Sequence, residues 1–262
     1  MVIAPSPDPA GREIPVVRHC LNLTLLAAAG VTRGVEIALA APFTLHQSGA
    51  GLGALLDQRG PVLAPRAVRD PRLGIGFARR YPRLLTRPGL SIRLDVSLPL
   101  GDERELAGDR SAVLAPQVAA DLSLGRLHLG GTLGARLREP NEIANTRMGS
   151  QLWIALGASL ELMERGLLSI AVESWMLPSL AQEPLALADE PGQEQRHMPA
   201  EWMASLSLAP RLSDALVFQL GAGTGLPLSS SPRPDGGTEP ASSMTTPDVR
   251  LVAVGRLRYR GL

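Results

Sequence analysis

The chain contains no lysine, one cysteine, only three Trp, three Phe and two Tyr, and no long uninterrupted apolar run. Each shortage excludes a class of protein. All 26 basic residues are arginine and they face 25 acidic ones, for a net charge of +1. Such a balance lacks the basic footprint of a nucleic-acid binder, so no nucleic-acid partner is expected. The missing lysine reads as genomic base composition, although arginine also suits fixed ion pairs. A lone Cys20 rules out an intramolecular disulfide framework and any multi-cysteine metal site. The longest charge-free stretch near the start, "CLNLTLLAAAGVT", is too short and mixed for a membrane helix, which needs roughly 20 apolar residues. The opening "MVIAPSPDPAGREIPVV" has no basic region followed by an apolar core and no cleavage site, so no secretory signal is visible.

What is present is alternation. In "GLSIRLDVSLPL" the residues Leu90, Ile92, Leu94, Val96 and Leu98 alternate with Ser91, Arg93, Asp95 and Ser97. That pattern makes a strand with an oily face and a wet one. It recurs over residues 17–30, 35–46, 71–81, 90–100, 112–124, 126–138, 151–162, 167–177, 201–212, 215–228 and 248–260. Strands in soluble proteins most often have about 5 to 6 residues, whereas transmembrane strands need roughly 9 to 11. These eleven segments have the membrane length.

The connections between segments are sorted. "VTRG", "PRLLTRPG", Gly125 with its neighbour, "MERG" and "SD" are short, and they alternate without exception with the long stretches 47–70, 101–111, 139–150, 178–200 and 229–247. All tight turns then fall at one end of the sheet and all long loops at the other, as in outer-membrane barrels. The apolar row is therefore expected to face lipid and the charged row a lumen, in a closed sheet that satisfies every backbone polar group at membrane depth. The predicted fold is all-β, an antiparallel up-and-down transmembrane β-barrel with eleven visible strands of a probable twelve. Residues 17–262 form the barrel, and residues 1–16 an external loop remnant of a missing first hairpin. An odd count leaves two parallel neighbours at closure, so one rising strand is expected before "SPDPAGREIPVV", with "VIA" at 2–4 as its last turn; the chain is expected to be N-terminally truncated.

The segments "GVEIALAAPFTLHQSGAGLGAL" and "GLSIRLDVSLPLGDERELAGDRSAVLAPQVAADLSLGRLHLGGTLGARLRE", with the closing "TPDVRLVAVGRLRYRGL", resemble the barrel portion of OmpA-family outer-membrane proteins of Gram-negative bacteria. The resemblance covers roughly residues 17–262 and carries no catalytic motif. It implies location in the cell outer membrane, with membrane lipid and the barrel assembly machinery as partners. The calcium-binding repeats and peptidoglycan-binding domain that often follow such barrels have no counterpart in this sequence, so peptidoglycan anchoring is not carried over.

The lumen-lining row is predicted to hold Glu36, Arg93, Asp95, Asp121, His128, Arg136, Arg138, Glu161, Glu173, Arg250, Arg256 and Arg258. The lipid-facing row is predicted to hold Ile92, Leu94, Val96, Leu129, Leu133, Ile154, Leu156, Leu206, Leu220 and Leu251. Opposite signs meeting across neighbouring strands would plug the lumen; arginines gathered on one wall would make an anion-attracting pore. A barrel of about twelve strands is intermediate in bore, and a largely filled or narrow lumen is expected. Phe43, Phe77, Trp202, Phe218 and Tyr259 fall on the outward parity near strand ends, where a sparse aromatic girdle would sit.

Enzyme chemistry finds little support. His19 and Cys20 are strand neighbours and point to opposite faces. His46, His128 and His197 have no carboxylate or cysteine at metal-ligand spacing, so neither metal nor cofactor is expected. No matched nucleophile, base and orienting group is recognisable. "GAGTG" at 221–225 lies inside an alternating segment with no helix after it, so its glycines relieve crowding rather than cradle phosphate. Asp102, Glu103, Glu105 and Asp109 read as a solvated loop paired with Arg104 and Arg110. The expected function is a structural or passively conducting outer-membrane barrel. The alternatives are a channel for small or hydrophobic solutes, and a soluble secreted β-sandwich or lipocalin-like binding protein with its apolar row inward.

Overall fold

The computed structural model describes residues 2–4, 12–14, 17–51, 63–80, 88–103, 105–143, 146–163, 167–180, 199–209, 216–226, 230–232, 238–240 and 249–257. Eleven long strands dominate them: β1 (His19–Thr32), β2 (Val35–Ser48), β3 (Arg72–Arg80), β4 (Gly89–Ser97), β5 (Val113–Leu124), β6 (Leu127–Arg136), β7 (Gln151–Glu161), β8 (Leu168–Met176), β9 (Ala200–Leu208), β10 (Leu216–Gly225) and β11 (Arg250–Leu257). Each grows from one of the eleven alternating segments of the sequence. No helix occurs among the described residues.

The strands pair in chain order from β1 to β11, every neighbour antiparallel. The sheet counts 12 strands because the two-residue strand Ala67–Val68 also pairs with β2, opposite Phe43 and Thr44. It lies along the line of β3, which takes over the pairing at Ala40 after the chain breaks step near Asp70. The twelfth strand in this count is that short one. Val2–Ala4, read from the sequence as the last turn of a missing N-terminal strand, pairs instead with Arg12–Ile14 in a separate two-stranded ladder. The sheet is open: β1 and β11 are its edges and do not pair with each other.

Turn chemistry fixes the hairpins. Gly125 has φ of 64°, and with Arg126 it makes the two-residue link from β5 to β6, as a turn with glycine at its first central position requires. Gly34 has φ of 90° between β1 and β2, and a Cβ there would lie 2.8 Å from the Ala78 carbonyl oxygen. The remaining links at this end are 81–88, 162–167 and 209–215, whereas 49–71, 98–112, 137–150, 177–199 and 226–249 join strands at the other. Long and short connections therefore occupy opposite ends of the sheet.

The architecture is a single layer. Substantial contacts between long strands are all between hydrogen-bonded neighbours, and no large side chain is fully buried among the described residues. Among the described residues, the buried apolar ones reduce to Ala38, Leu63, Ala107, Val113 and Ala200. Leu63 and Ala107 belong to a knitted layer of loops at the long-loop end. There Asp70 accepts hydrogen bonds from the Gly101 and Asp109 amides at 2.6 and 2.7 Å, Gln47 donates to the carbonyls of Ala64 and Glu105, and the Glu105 carboxylate accepts from the Ala64 amide. The acidic loop is thus a structural knot, with Arg110 paired to Glu103 as its composition suggested. Arg104 lies outside the described residues.

Candidate functional site

The strands carry two unlike faces. Along β5, Leu114, Pro116, Val118, Ala120 and Leu124 are exposed, whereas Ala115, Gln117, Ala119, Asp121 and Ser123 are half-buried. Along β7, Leu156, Ala158 and Leu160 are exposed between half-buried Gly157, Ser159 and Glu161. The same alternation holds in β4, β9 and β10. The apolar side is the accessible one and the polar side the sheltered one, the reverse of a sheet packed on a water-excluded core. Of the residues predicted for the apolar face, Ile92, Leu94, Leu129, Leu133, Leu156, Leu206, Leu220 and Leu251 are exposed, with Leu156 at 67% and Leu220 at 63%. Val96 and Ile154 are half-buried. Phe77 and Phe218 lie on this face at the short-turn end, Phe43 and Trp202 at the long-loop end; Tyr259 lies outside the described residues.

The polar face is built from cross-strand networks. Arg93 on β4 binds both oxygens of Asp95 through Nε at 2.9 Å, and its Nη1 reaches Glu36 on β2 at 3.6 Å. Gln117 on β5 donates to Asp95 at 3.0 Å. Four strands contribute to this network, because Gly74 and Gly76 of β3 leave the room. Asp95 is opposite Gly74, where a Cβ would fall 2.1 Å from its Oδ1. Asp121 likewise lies beside Gly89, and it meets Arg80 at 3.7 Å. At the long-loop end Arg250 pairs with Glu201 at 3.0 Å and its guanidinium stands 5.8 Å from the centre of the Trp175 ring.

A third network occupies the short-turn end. Ser123 Oγ is 2.9 Å from His128 Nδ1, and His128 Nε2 is 3.1 Å from Glu161. The structure therefore brings together a hydroxyl, an imidazole and a carboxylate that the sequence did not disclose as a set. The order of ring nitrogens is opposite to that of a serine hydrolase, in which Nε2 faces the hydroxyl and Nδ1 the carboxylate. All three side chains are partly accessible and span β5, β6 and β7 as the other networks span their strands, so we read them as part of the same polar lining.

The remaining predicted residues fall as follows. Arg136, opposite Gln151, sits at the long-loop end within electrostatic range of Arg138, Asp109 and Arg72. Arg138 is not in the strand wall: β6 ends at Arg136, and Arg138 reaches into the loop layer, bonding Asp109 at 2.9 Å and the Gly149 carbonyl at 3.0 Å. Glu173 is exposed on the polar parity opposite Gly157, without a charged partner among the described residues. Arg256 is exposed on β11, and Arg258 and His197 lie outside the described residues. Sequence reasoning missed Glu201, Arg80, Ser123 and Trp175. Glu201 was accessible to it, because the outward Trp202 and Leu206 put Glu201, Met203 and Ser205 on the polar parity.

No protein-family model matches the chain, and no curated protein matches it either. The geometry alone carries the functional reading.

Proposed function

We propose that this chain is an integral outer-membrane β-barrel protein of the OmpA-like kind, structural or passively conducting, with the apolar face against lipid and the polar face around a narrow lumen. One observation carries the reading: the exposed side of the sheet is its apolar side, strand after strand. Contiguous apolar surface on a soluble monomer rarely exceeds a few hundred Å², and here most of the long strands contribute several exposed large side chains. Moving each from water into hydrocarbon is worth about 1.5–3 kcal/mol, so lipid or detergent is the medium in which this face is stable. A sandwich or lipocalin would need the same row covered by a second layer.

The sorting of loops and the paired aromatics at both ends support the same orientation, with short turns toward the periplasm. Ion pairs that reach over an intervening strand, as Arg93 to Glu36 and Arg250 to Glu201, support a largely filled lumen with little conductance rather than an open pore. The protein performs no chemistry of its own in this reading. Flotation tests it: refolded chain mixed with preformed liposomes is expected to rise with them through a density gradient and to resist extraction by high salt. Recovery of monodisperse protein at the bottom of the gradient, soluble without detergent, would sink the proposal.

A further inference from the structure

The two edges of the sheet are unfinished in a specific way. β1 and β11 both run from the long-loop end to the short-turn end, because an odd number of antiparallel strands separates one edge from the other. Every residue of β1 is exposed, on both parities, and β11 is exposed at all positions but Val252. Each edge presents a row of backbone donors and acceptors with no neighbour among the described residues, a template for another strand. At membrane depth each such unmet group costs several kcal/mol.

Charge adds a second constraint. Elsewhere on the polar face, arginines meet acids across one intervening strand, as Arg93 on β4 with Glu36 on β2 and Arg250 on β11 with Glu201 on β9. Arg256 has no charged partner among the described residues. The polar parity of β1 offers Asn22, Thr24, Leu26, Ala28 and Gly30, none of them acidic. Direct closure of β11 on β1 would moreover be parallel, unlike every other pairing in the sheet. A second copy in the same membrane orientation brings edges of the same direction together and fails on the same count.

We propose, resting on the membrane reading above, that the open edges of β1 and β11 together form a strand-acceptor site. Its ligand is one extended polypeptide segment that runs antiparallel to both edges, from the short-turn end to the long-loop end. About 9–11 residues cross the sheet. Apolar residues alternate outward beside Leu25 and Leu251, and an acidic residue near the segment's start faces Arg256, where Ala28 and Gly30 leave room. Recognition is β-augmentation: backbone hydrogen bonds supply affinity and alternate side chains supply register.

Cys20 reports on direction, since it is exposed at the long-loop end of β1. The test uses the whole chain refolded in detergent micelles with synthetic twelve-residue peptides of alternating Val/Leu and Thr/Ser carrying one early Glu. A pyridyl-disulfide placed on the last residue is expected to couple to Cys20 at least about tenfold faster than the same group on the first residue, the separation in rate corresponding to about 1.4 kcal/mol. Amide exchange in His19–Thr32 and Arg250–Leu257 is expected to slow with the peptide while β5 to β7 stay unchanged. Arg256→Glu should reverse the preference from a Glu peptide to an Arg peptide. Equal coupling from both peptide ends, equal protection by a scrambled peptide, or edge amides already as slow as those of β6 without peptide would each overturn the proposal. Flotation in the absence of peptide distinguishes these failures from failure of the membrane reading.

Discussion

The middle of the sheet and its edges are written in the same alternating pattern yet end in different states. In β5 and β7 the polar residues are sheltered and most of the outward apolar ones exposed, whereas in β1 both are exposed throughout. β1 carries large apolar residues as they do, among them Leu21, Leu23, Leu25 and Leu26. What differs is the number of neighbours. A strand with two partners has its polar side chains covered by those of the adjoining strands, as Asp95 is by Gln117. A strand with one partner has nothing to lie against on its open side. Pattern assigns a face, and a second neighbour gives the face its shelter.

The largest test of this contrast lies on the apolar face. Leu133→Arg or Leu156→Arg, in the middle of β6 and β7, is expected to destabilise the micelle-bound protein by about 2–4 kcal/mol, seen as a lower denaturant midpoint. The same change at Leu251, on the open edge, is expected to cost less than half as much. Equal losses would mean that the edges are as deeply embedded as the middle.

The polar networks come next. Arg93→Ala strips Asp95 and Glu36 of their common cation, and about 1–3 kcal/mol of stability is expected to go with it. Asp95 carries most of that effect because its side chain is only 17% accessible. Arg256→Ala, with no partner to abandon, should stay within about 0.5 kcal/mol. Unfolding curves of the two variants side by side measure the difference.

Glycines sharpen the comparison at smaller scale. Gly74→Ala drives a methyl group into Asp95 and Arg93 and is expected to cost about 1–2 kcal/mol through overpacking. At Gly30 on β1 an added Cβ meets nothing within 4 Å, so Gly30→Ala should be neutral or slightly stabilising, by a few tenths of a kcal/mol up to about 1. The smallest effect is expected at Glu173. Its exposed carboxylate lacks a charged partner among the described residues, and Glu173→Gln should leave the unfolding midpoint within about 0.5 kcal/mol of the parent.

Much of this molecule was legible in its sequence. Period-two patterning assigned Ile92 and Arg93 to opposite faces, and turn residues such as Gly125 placed the hairpins, because both signals are local. Partners were less legible. That Arg93 meets Glu36, or that Glu161 extends the Ser123–His128 pair into one chain of hydrogen bonds, follows from register across strands far apart in sequence. Arg138 deceived for a related reason: its parity continues that of Arg136, but the strand ends between them and the side chain turns into the loops. The loop knot around Asp70 was invisible because a carboxylate capping two amides of a distant loop leaves no periodic trace. The ladder joining Val2–Ala4 to Arg12–Ile14 was likewise unforeseen.

The most direct test of the central claim is a comparison of neighbouring positions in lipid. In a Cys20→Ser background, single cysteines in place of Leu133, Thr132, Leu156 and Ser159 would carry nitroxide labels in proteoliposomes. The account predicts that the labels at 133 and 156 relax with oxygen dissolved in the bilayer, while those at 132 and 159 do not. All four labels relaxing with a water-soluble nickel chelate, or the two rows exchanging roles, would contradict it.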